Sequence, residues 1–384
     1  MIKDKIEYLL KHNLFVQKCY KLGVSSALNF VGLFLKTDPN LVLINSFAGK
    51  RFGDSPKTIY DYLRSHDEYK DLKIVWAFTE PDKYDTGCVK VKQDSWAYFK
   101  TALKAKYWIT CVNIERGLDI KKKQTRYLNT WHGVPLKYIG NDVEGRDDYD
   151  FSAIDVFCYS GEFEHEIYKR AFRLKDEKML KSGMPRNDEL YKVSDEQVKA
   201  IRQKLNIPEG KKVLLYAPTW RESTDGGKTY VIAPPMDVVK WEKELGSEYV
   251  LLFRAHHFTT KQMGVSFNDF VRDMSNYPSI NELMMISDVL ISDYSATIFD
   301  YSILERPIIS FAYDFDTYSK ERGLYLKLQE ELPDGICKSE QEVLDKLHNM
   351  DYTAQCKATK AFKDKYLEVG GNATEMCVKA LFGK

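Results

Sequence analysis

The chain is poor in cysteine and arranges none of it for chemistry. Seven occur in 384 residues (Cys19, Cys88, Cys111, Cys158, Cys337, Cys356 and Cys377), with an odd total and no CxxC pair. That excludes a disulfide framework and a zinc ribbon. It reads as reduced thiols, with Cys111 and Cys158 packed as small hydrophobes in apolar runs. No run of about 18 uncharged apolar residues exists, which excludes a spanning helix. Charge of one sign is also missing: 57 basic against 56 acidic residues leave a net charge of +1. A nucleic-acid partner is therefore not expected, and any basic binding surface is local. Neither GxxxxGK[ST] nor GxGxxG occurs, so a P-loop and a Rossmann fingerprint are excluded and any phosphate is held without a glycine cradle. No repeat of about 20–50 residues and no low-complexity segment is present.

The composition that remains is ordinary for a globular chain, 44% hydrophobic and 29% charged, and the length supplies two cores. Residues 1–36 carry six lysines against Asp4 and Glu7 and form a helical leader. Two readings of it stand side by side: a basic amphipathic helix lying on an anionic membrane surface, or a helical hairpin packed on its own domain. Beyond it, strands and helices alternate. LVLINS (41–46), KIVWAFT (73–79), YWITCVN (107–113), RYLNTWH (126–132) and VFCYS (156–160) read as strands. Helices are expected at 58–66, after Pro56 in a first turn, at 95–106 and at 162–172. The second half repeats the plan from KVLLYAPTW (212–220) through YVLLFRAHH (249–257) to the segment 280–314. This pattern predicts an α/β protein of two doubly wound lobes, residues 37–205 and 206–384, with the last helix able to pack back on the first lobe.

In open sheets of this kind ligands bind beyond the carboxyl ends of strands. The unusual polar clusters fall there. His132 follows RYLNTW, and Arg186 follows the strand-like ML of EKMLKSGMPRND. Pro218 and Thr219 follow VLLYA; Arg254, Ala255, His256 and His257 follow YVLLF; Asp293, Tyr294, Ser295 and Thr297 follow VLIS. If the fold is right, these clusters converge on one cleft between the lobes. Their chemistry suits phosphate. Ser295 opens a helix whose N-terminus exposes N–H groups, Ser295 and Thr297 add hydroxyls, and Arg186 and Arg254 bring guanidinium forks. Asp300, one turn on, is placed to hold a ligand hydroxyl. Asp148–Asp150 and Asp314–Asp316 match D-x-D, a pattern too short to assign in a chain with 56 acidic residues. No residues are assigned to hold a divalent cation such as magnesium.

WHGVPLKYIG (131–140), SGMPRNDEL (182–190), LLYAPTWRES (214–223), FRAHH (253–257) and ISDYSATIFDYSILERPIISFAYDFDTY (291–318) resemble, in order, the motifs of the CDP-glycerol glycerophosphotransferases of teichoic acid and capsule synthesis. SFAGKRFGDSP (46–56) resembles a further upstream element of that family. The resemblance implies a GT-B-like fold, two Rossmann-like lobes with a cleft between them, acceptor on the first and CDP-activated donor on the second. It implies transfer of a polyol phosphate from CDP-glycerol, or CDP-ribitol, to a hydroxyl of an undecaprenyl-diphosphate-linked saccharide, with release of CMP. It also implies a peripheral attachment to the cytoplasmic face of the membrane, which favours the membrane reading of the leader. Carried over by motif, His132 is the base and His256 its catalytic partner. Gly133, Val134, Pro135, Leu136, Arg186, Pro218, Thr219, Arg254, Ala255, Ser295, Ala296 and Asp300 line the donor site, with Lys137 and Thr297 as further phosphate contacts. Val134 and Ala296 depart from the family pattern, which has Thr and Ser there, and each removes a hydroxyl. The rival reading on the same fold is a nucleotide-sugar glycosyltransferase.

Overall fold

The computed structural model describes residues 14–219, 235–254 and 266–383. Among these residues thirteen strands form two sheets in which every strand pair is parallel. The first holds β1 (Asp38–Ile44), β2 (Lys73–Phe78), β3 (Val89–Lys92), β4 (Ala105–Thr110), β5 (Arg126–Asn129), β6 (Val156–Tyr159) and β7 (Met179–Lys181), in the order β3-β2-β1-β4-β5-β6-β7. The second holds β8 (Lys212–Ala217), β9 (Tyr249–Phe253), β10 (Val271–Asp273), β11 (Val289–Ser292), β12 (Ile308–Phe311) and β13 (Ile336–Cys337), in the order β10-β9-β8-β11-β12-β13. Helices cover both faces, so the central strands are continuous apolar runs: Val42, Leu43, Ile44, Leu214, Leu215 and Leu251 are fully buried. In each lobe the strand order reverses once, between β1 and β4 and between β8 and β11, and a ligand crevice opens at such a reversal.

Two segments cross between the lobes. The helix Asp195–Lys204, assigned by sequence to the first lobe, packs instead on the second-lobe helix Ile280–Ile286. The helix Ala373–Phe382 returns to the first lobe, where Cys377, Val378 and Leu381 are buried with Val42, Ile44, Ile59 and Trp76. Asp188 caps it, accepting from the N–H groups of Ala373 (2.9 Å) and Thr374 (2.8 Å).

Several boundaries differ from the sequence reading for identifiable reasons. The helix expected at 58–66 begins earlier, at Asp54. The helix expected to reach residue 106 ends at Lys104, because Ala105 and Lys106 are taken into β4. The strand expected to run to His132 stops at Asn129. There the Asn129 side chain accepts from Trp131 N (2.8 Å) and donates to the Val112 carbonyl (2.8 Å), and Trp131 enters left-handed space at φ 54°. That turn is what lifts His132 off the sheet.

Candidate functional site

His132 sits where β5 delivers it, at the rim between the lobes. Its Nδ1 lies 2.8 Å from the carbonyl oxygen of Cys111, at the end of β4. A carbonyl only accepts, so Nδ1 carries the proton and Nε2 is the lone-pair nitrogen. Trp131 and Phe47 flank the imidazole, with ring centroids at 4.1 and 5.6 Å. Burial lowers the His132 pKa below the ordinary imidazole value; the Cys111 hydrogen bond and the Asp54 charge pull it partly back.

The loop then runs directly onto the second lobe. Gly133 has φ 152°, and a Cβ there would stand 2.7 Å from the Ala296 Cβ. Only glycine permits this approach of the His132 loop to the turn after β11. Val134 and Leu136 are each 2% exposed and pack in the second-lobe core beside Leu215, Leu252 and Ile298. Their side chains therefore face the core, and a donor could meet only their backbone. Gly133 and Pro135 are buried as well. Lys137 lies 5.9 Å from the Tyr318 ring, in a bridge with Leu324.

Arg186 is brought to the site, but its hydrogen bonds go to protein. Nη1 donates to Asp54 Oδ2 (2.8 Å) and to the His132 carbonyl (2.7 Å), and Nη2 donates to Asp300 Oδ2 (2.8 Å). Asn187 donates to the other Asp300 oxygen (2.6 Å). Burial opposes the guanidinium charge, but the two carboxylates outweigh it and hold Arg186 protonated. The sequence reading had Arg186 gripping phosphate and Asp300 holding a ligand hydroxyl; the structure joins these two residues to each other, as a strut between the lobes.

Behind the loop, Glu164 is fully buried. It accepts from Tyr168 Oη (2.7 Å) and Ser160 N (2.5 Å), and Tyr168 Oη reaches the Gly133 carbonyl at 3.4 Å. Burial pushes the Glu164 carboxyl up to about 7. Sequence reasoning passed over Glu164 and Asp54. The signal for Glu164 was present: an acidic residue sharing one helix face with Ile167, Tyr168 and Ala171.

On the second lobe Ser295, Ala296 and Thr297 are partly exposed at the end of β11. Ser295 Oγ donates to Thr297 Oγ1 (2.9 Å) and accepts from Thr297 N (3.2 Å). The helix they open, Thr297–Ser302, has six residues, so hydroxyls and single N–H groups matter more than its dipole. Pro218 is buried and Thr219 partly exposed at the end of β8; Asp293 ties the two strand ends by accepting from Thr219 N (2.8 Å) and Tyr294 N (2.8 Å). Arg254, at the end of β9, donates from Nη1 to the carbonyls of Met274 (3.2 Å) and Tyr277 (2.7 Å). Ala255 and His256 lie outside the described residues. The D-x-D carboxylates are engaged elsewhere: Asp148 with Arg146, Asp316 with Lys338, and Asp314 with the Tyr294 hydroxyl.

A first-lobe imidazole with a fixed tautomer thus faces a second-lobe shelf of hydroxyls and N–H groups across a contact only glycine allows. Residues 27–383 match the family described as CDP-Glycerol:Poly(glycerophosphate) glycerophosphotransferase. The chain is 35% identical to the teichoic acid poly(glycerol phosphate) polymerase of Staphylococcus epidermidis, over 90% of this chain and 51% of that protein. It is 32% identical to the teichoic acid glycerol-phosphate transferase of Staphylococcus aureus, over the whole of both. The chain therefore spans about half of the first relative and all of the second. A solved structure of the wall teichoic acid polymerase TagF, in a histidine variant soaked with CDPG, superposes with a TM-score of 0.83 at 33% identity, over 94% of this chain and 92% of that one. The fold is GT-B-like, and the chain belongs to the CDP-glycerol:poly(glycerophosphate) glycerophosphotransferase family.

Proposed function

We propose that the chain transfers glycerol phosphate from CDP-glycerol to a hydroxyl of a lipid-linked acceptor in teichoic acid synthesis, releasing CMP. The observation that carries this reading is the His132 tautomer, set by the Cys111 carbonyl at the edge of the cleft. A hydroxyl is a weak nucleophile near neutral pH, and a neutral imidazole is the base suited to it. The acceptor oxygen bonds to the glycerol-bearing phosphorus, the bond from that phosphorus to the bridging oxygen breaks, and CMP leaves with the electron pair. His132 Nε2 takes the hydroxyl proton. Charge builds on the phosphoryl oxygens, where Thr219, Ser295, Thr297 and Arg254 donate and His256 completes the set. Incubation with CDP-glycerol, CDP-ribitol and UDP-sugars separates the readings. Release of CMP from CDP-glycerol, dependent on acceptor, is the expected result; release of UDP would establish a nucleotide-sugar transferase instead.

The leader supports attachment at the cytoplasmic face of the membrane. Among the described residues no helix is long and apolar enough to span one. The helix Leu14–Phe34 turns Ser25 and Leu28 inward, yet its outer face is apolar too, with Leu22, Phe30, Leu33 and Phe34 exposed, Leu33 by 79%. Lys18 and Lys21 are exposed on the first turns of the same helix. Residues 1–13 of the leader lie outside the described set. Co-sedimentation with anionic vesicles is expected for the wild type and lost in a Phe30→Ser/Leu33→Ser variant; equal retention of both would rule this surface out.

A further inference from the structure

The first lobe has its own strand reversal, between β1 and β4, apart from the hydroxyls of Ser295 and Thr297 on the second lobe. The loop after β1 holds two non-glycine residues in left-handed space, Phe47 (φ 47°) and Ala48 (φ 54°), followed by Gly49 (φ 82°). Such strain persists only where surroundings impose it. Cys111 imposes part of it: its sulfur lies 3.4 Å from Phe47 N and 3.6 Å from Ser46 Oγ. The carbonyl of the same Cys111 fixes His132, so loop and base share one anchor. The loop sets the Phe47 ring against the His132 imidazole, and the Arg51 guanidinium lies 5.2 Å from the centre of that ring. Arg51 is exposed, and no carboxylate pairs with it among the described residues. Across the cleft, Arg254 is also without a carboxylate among them, and burial together with the Arg51 charge brings its pKa down to about 10. Two guanidinium groups thus approach one cleft from opposite lobes with no protein anion among the described residues to balance them. That arrangement suits an anionic ligand.

We propose that Arg51 recognises the acceptor, binding the phosphodiester of its terminal polyol-phosphate unit while His132 deprotonates the free hydroxyl of that unit. The inference rests on the transfer reading above and adds the residue that reads the acceptor's phosphate. Arg51 stands on the base's lobe, whereas Thr219, Ser295 and Thr297 are all on the other. One aromatic ring separates guanidinium from imidazole, and three carbons separate phosphate from terminal hydroxyl in a glycerol phosphate unit. Acceptors already ending in glycerol phosphate are then preferred over those ending in a neutral sugar.

The test is calorimetric binding of a short glycerol phosphate oligomer to the full chain without donor, alongside steady-state kinetics with an acceptor ending in that oligomer. Wild type binds. Arg51→Gln weakens binding at least about tenfold, the loss expected for one charge-assisted contact to phosphate. It raises KM for the acceptor comparably and leaves KM for CDP-glycerol and the melting temperature unchanged; Arg51→Lys recovers part of the affinity. The proposal is overturned if the oligomer binds wild type and Arg51→Gln equally, or binds neither. It is overturned also if KM for CDP-glycerol rises instead, which would assign the guanidinium to the donor diphosphate. If wild type binds the oligomer but releases no CMP from CDP-glycerol in its presence, the transfer reading fails while the anion subsite stands.

Discussion

His132→Asn lowers turnover by about 10²–10⁴-fold, the usual contribution of a positioned general base, and leaves the affinity for CDP-glycerol nearly unchanged. Asparagine is the informative replacement. Its amide N–H can still donate to the Cys111 carbonyl, which accepts from Nδ1 at 2.8 Å in the wild type, so the loop keeps its anchor. What disappears is the lone pair of Nε2. A purely structural histidine would be replaced by this isostere at little cost in turnover. The pH profile gives a second handle. The proposed mechanism needs the neutral ring, and burial lowers its pKa from the ordinary value. The acid limb of kcat/KM is therefore expected to inflect below about pH 6.5, the value of free imidazole, and never above it. An inflection above that value would contradict the net lowering by burial, against which the Asp54 charge is the smaller effect. Calorimetry of CDP-glycerol binding and steady-state rates on the same preparations separate affinity from chemistry.

Arg186→Ala is expected to be the most destabilising single change in the cleft, by about 3–5 kcal/mol, the range found when one partner of a buried ion pair is removed. The magnitude follows from what remains. Asp54 and Asp300 are each 9% exposed at the side chain and would face each other without their shared cation. The His132 carbonyl would lose its donor as well. Lysine should not restore the site, since a single ammonium cannot occupy the positions of Nη1 and Nη2 together. Asp54→Asn is expected to be milder, because an amide can still accept from Nη1. Denaturant unfolding of the three variants checks the ranking, and an Arg186→Lys protein as stable as wild type would refute the strut. Activity should fall in step, because the strut ties the loop that carries the proposed base, His132, to the second lobe through Asp300.

Much of the fold was legible because the physics is local. Strands buried on both faces must be continuous apolar runs, and LVLIN, KIVWAF, KVLLYA and YVLLF are such runs. The polar clusters at their ends were legible for the same reason, since the chain leaves the core there. Arg186 and Asp300 show what was not. Both were selected, but they are 114 residues apart, and nothing in either segment says that they meet. Val134 and Ala296 show it again. Both lack a hydroxyl that the family pattern has, and nothing in the sequence ranks Ala296 against Val134. Its side chain is buried among apolar neighbours, so a threonine there would direct its hydroxyl into the core. Ala296 is the departure exposed at the cleft, against Gly133. Residue type identified the place; the direction of each side chain decided its role, and direction is set by tertiary packing.

The most direct measurement is the mass of a lipid-linked acceptor after incubation with CDP-glycerol, read together with the CMP formed. The expected result is a gain of whole glycerol phosphate units with one CMP for each, present in wild type and nearly absent in His132→Asn. CMP formed without any gain on the acceptor, or a full yield of product from His132→Asn, would contradict it.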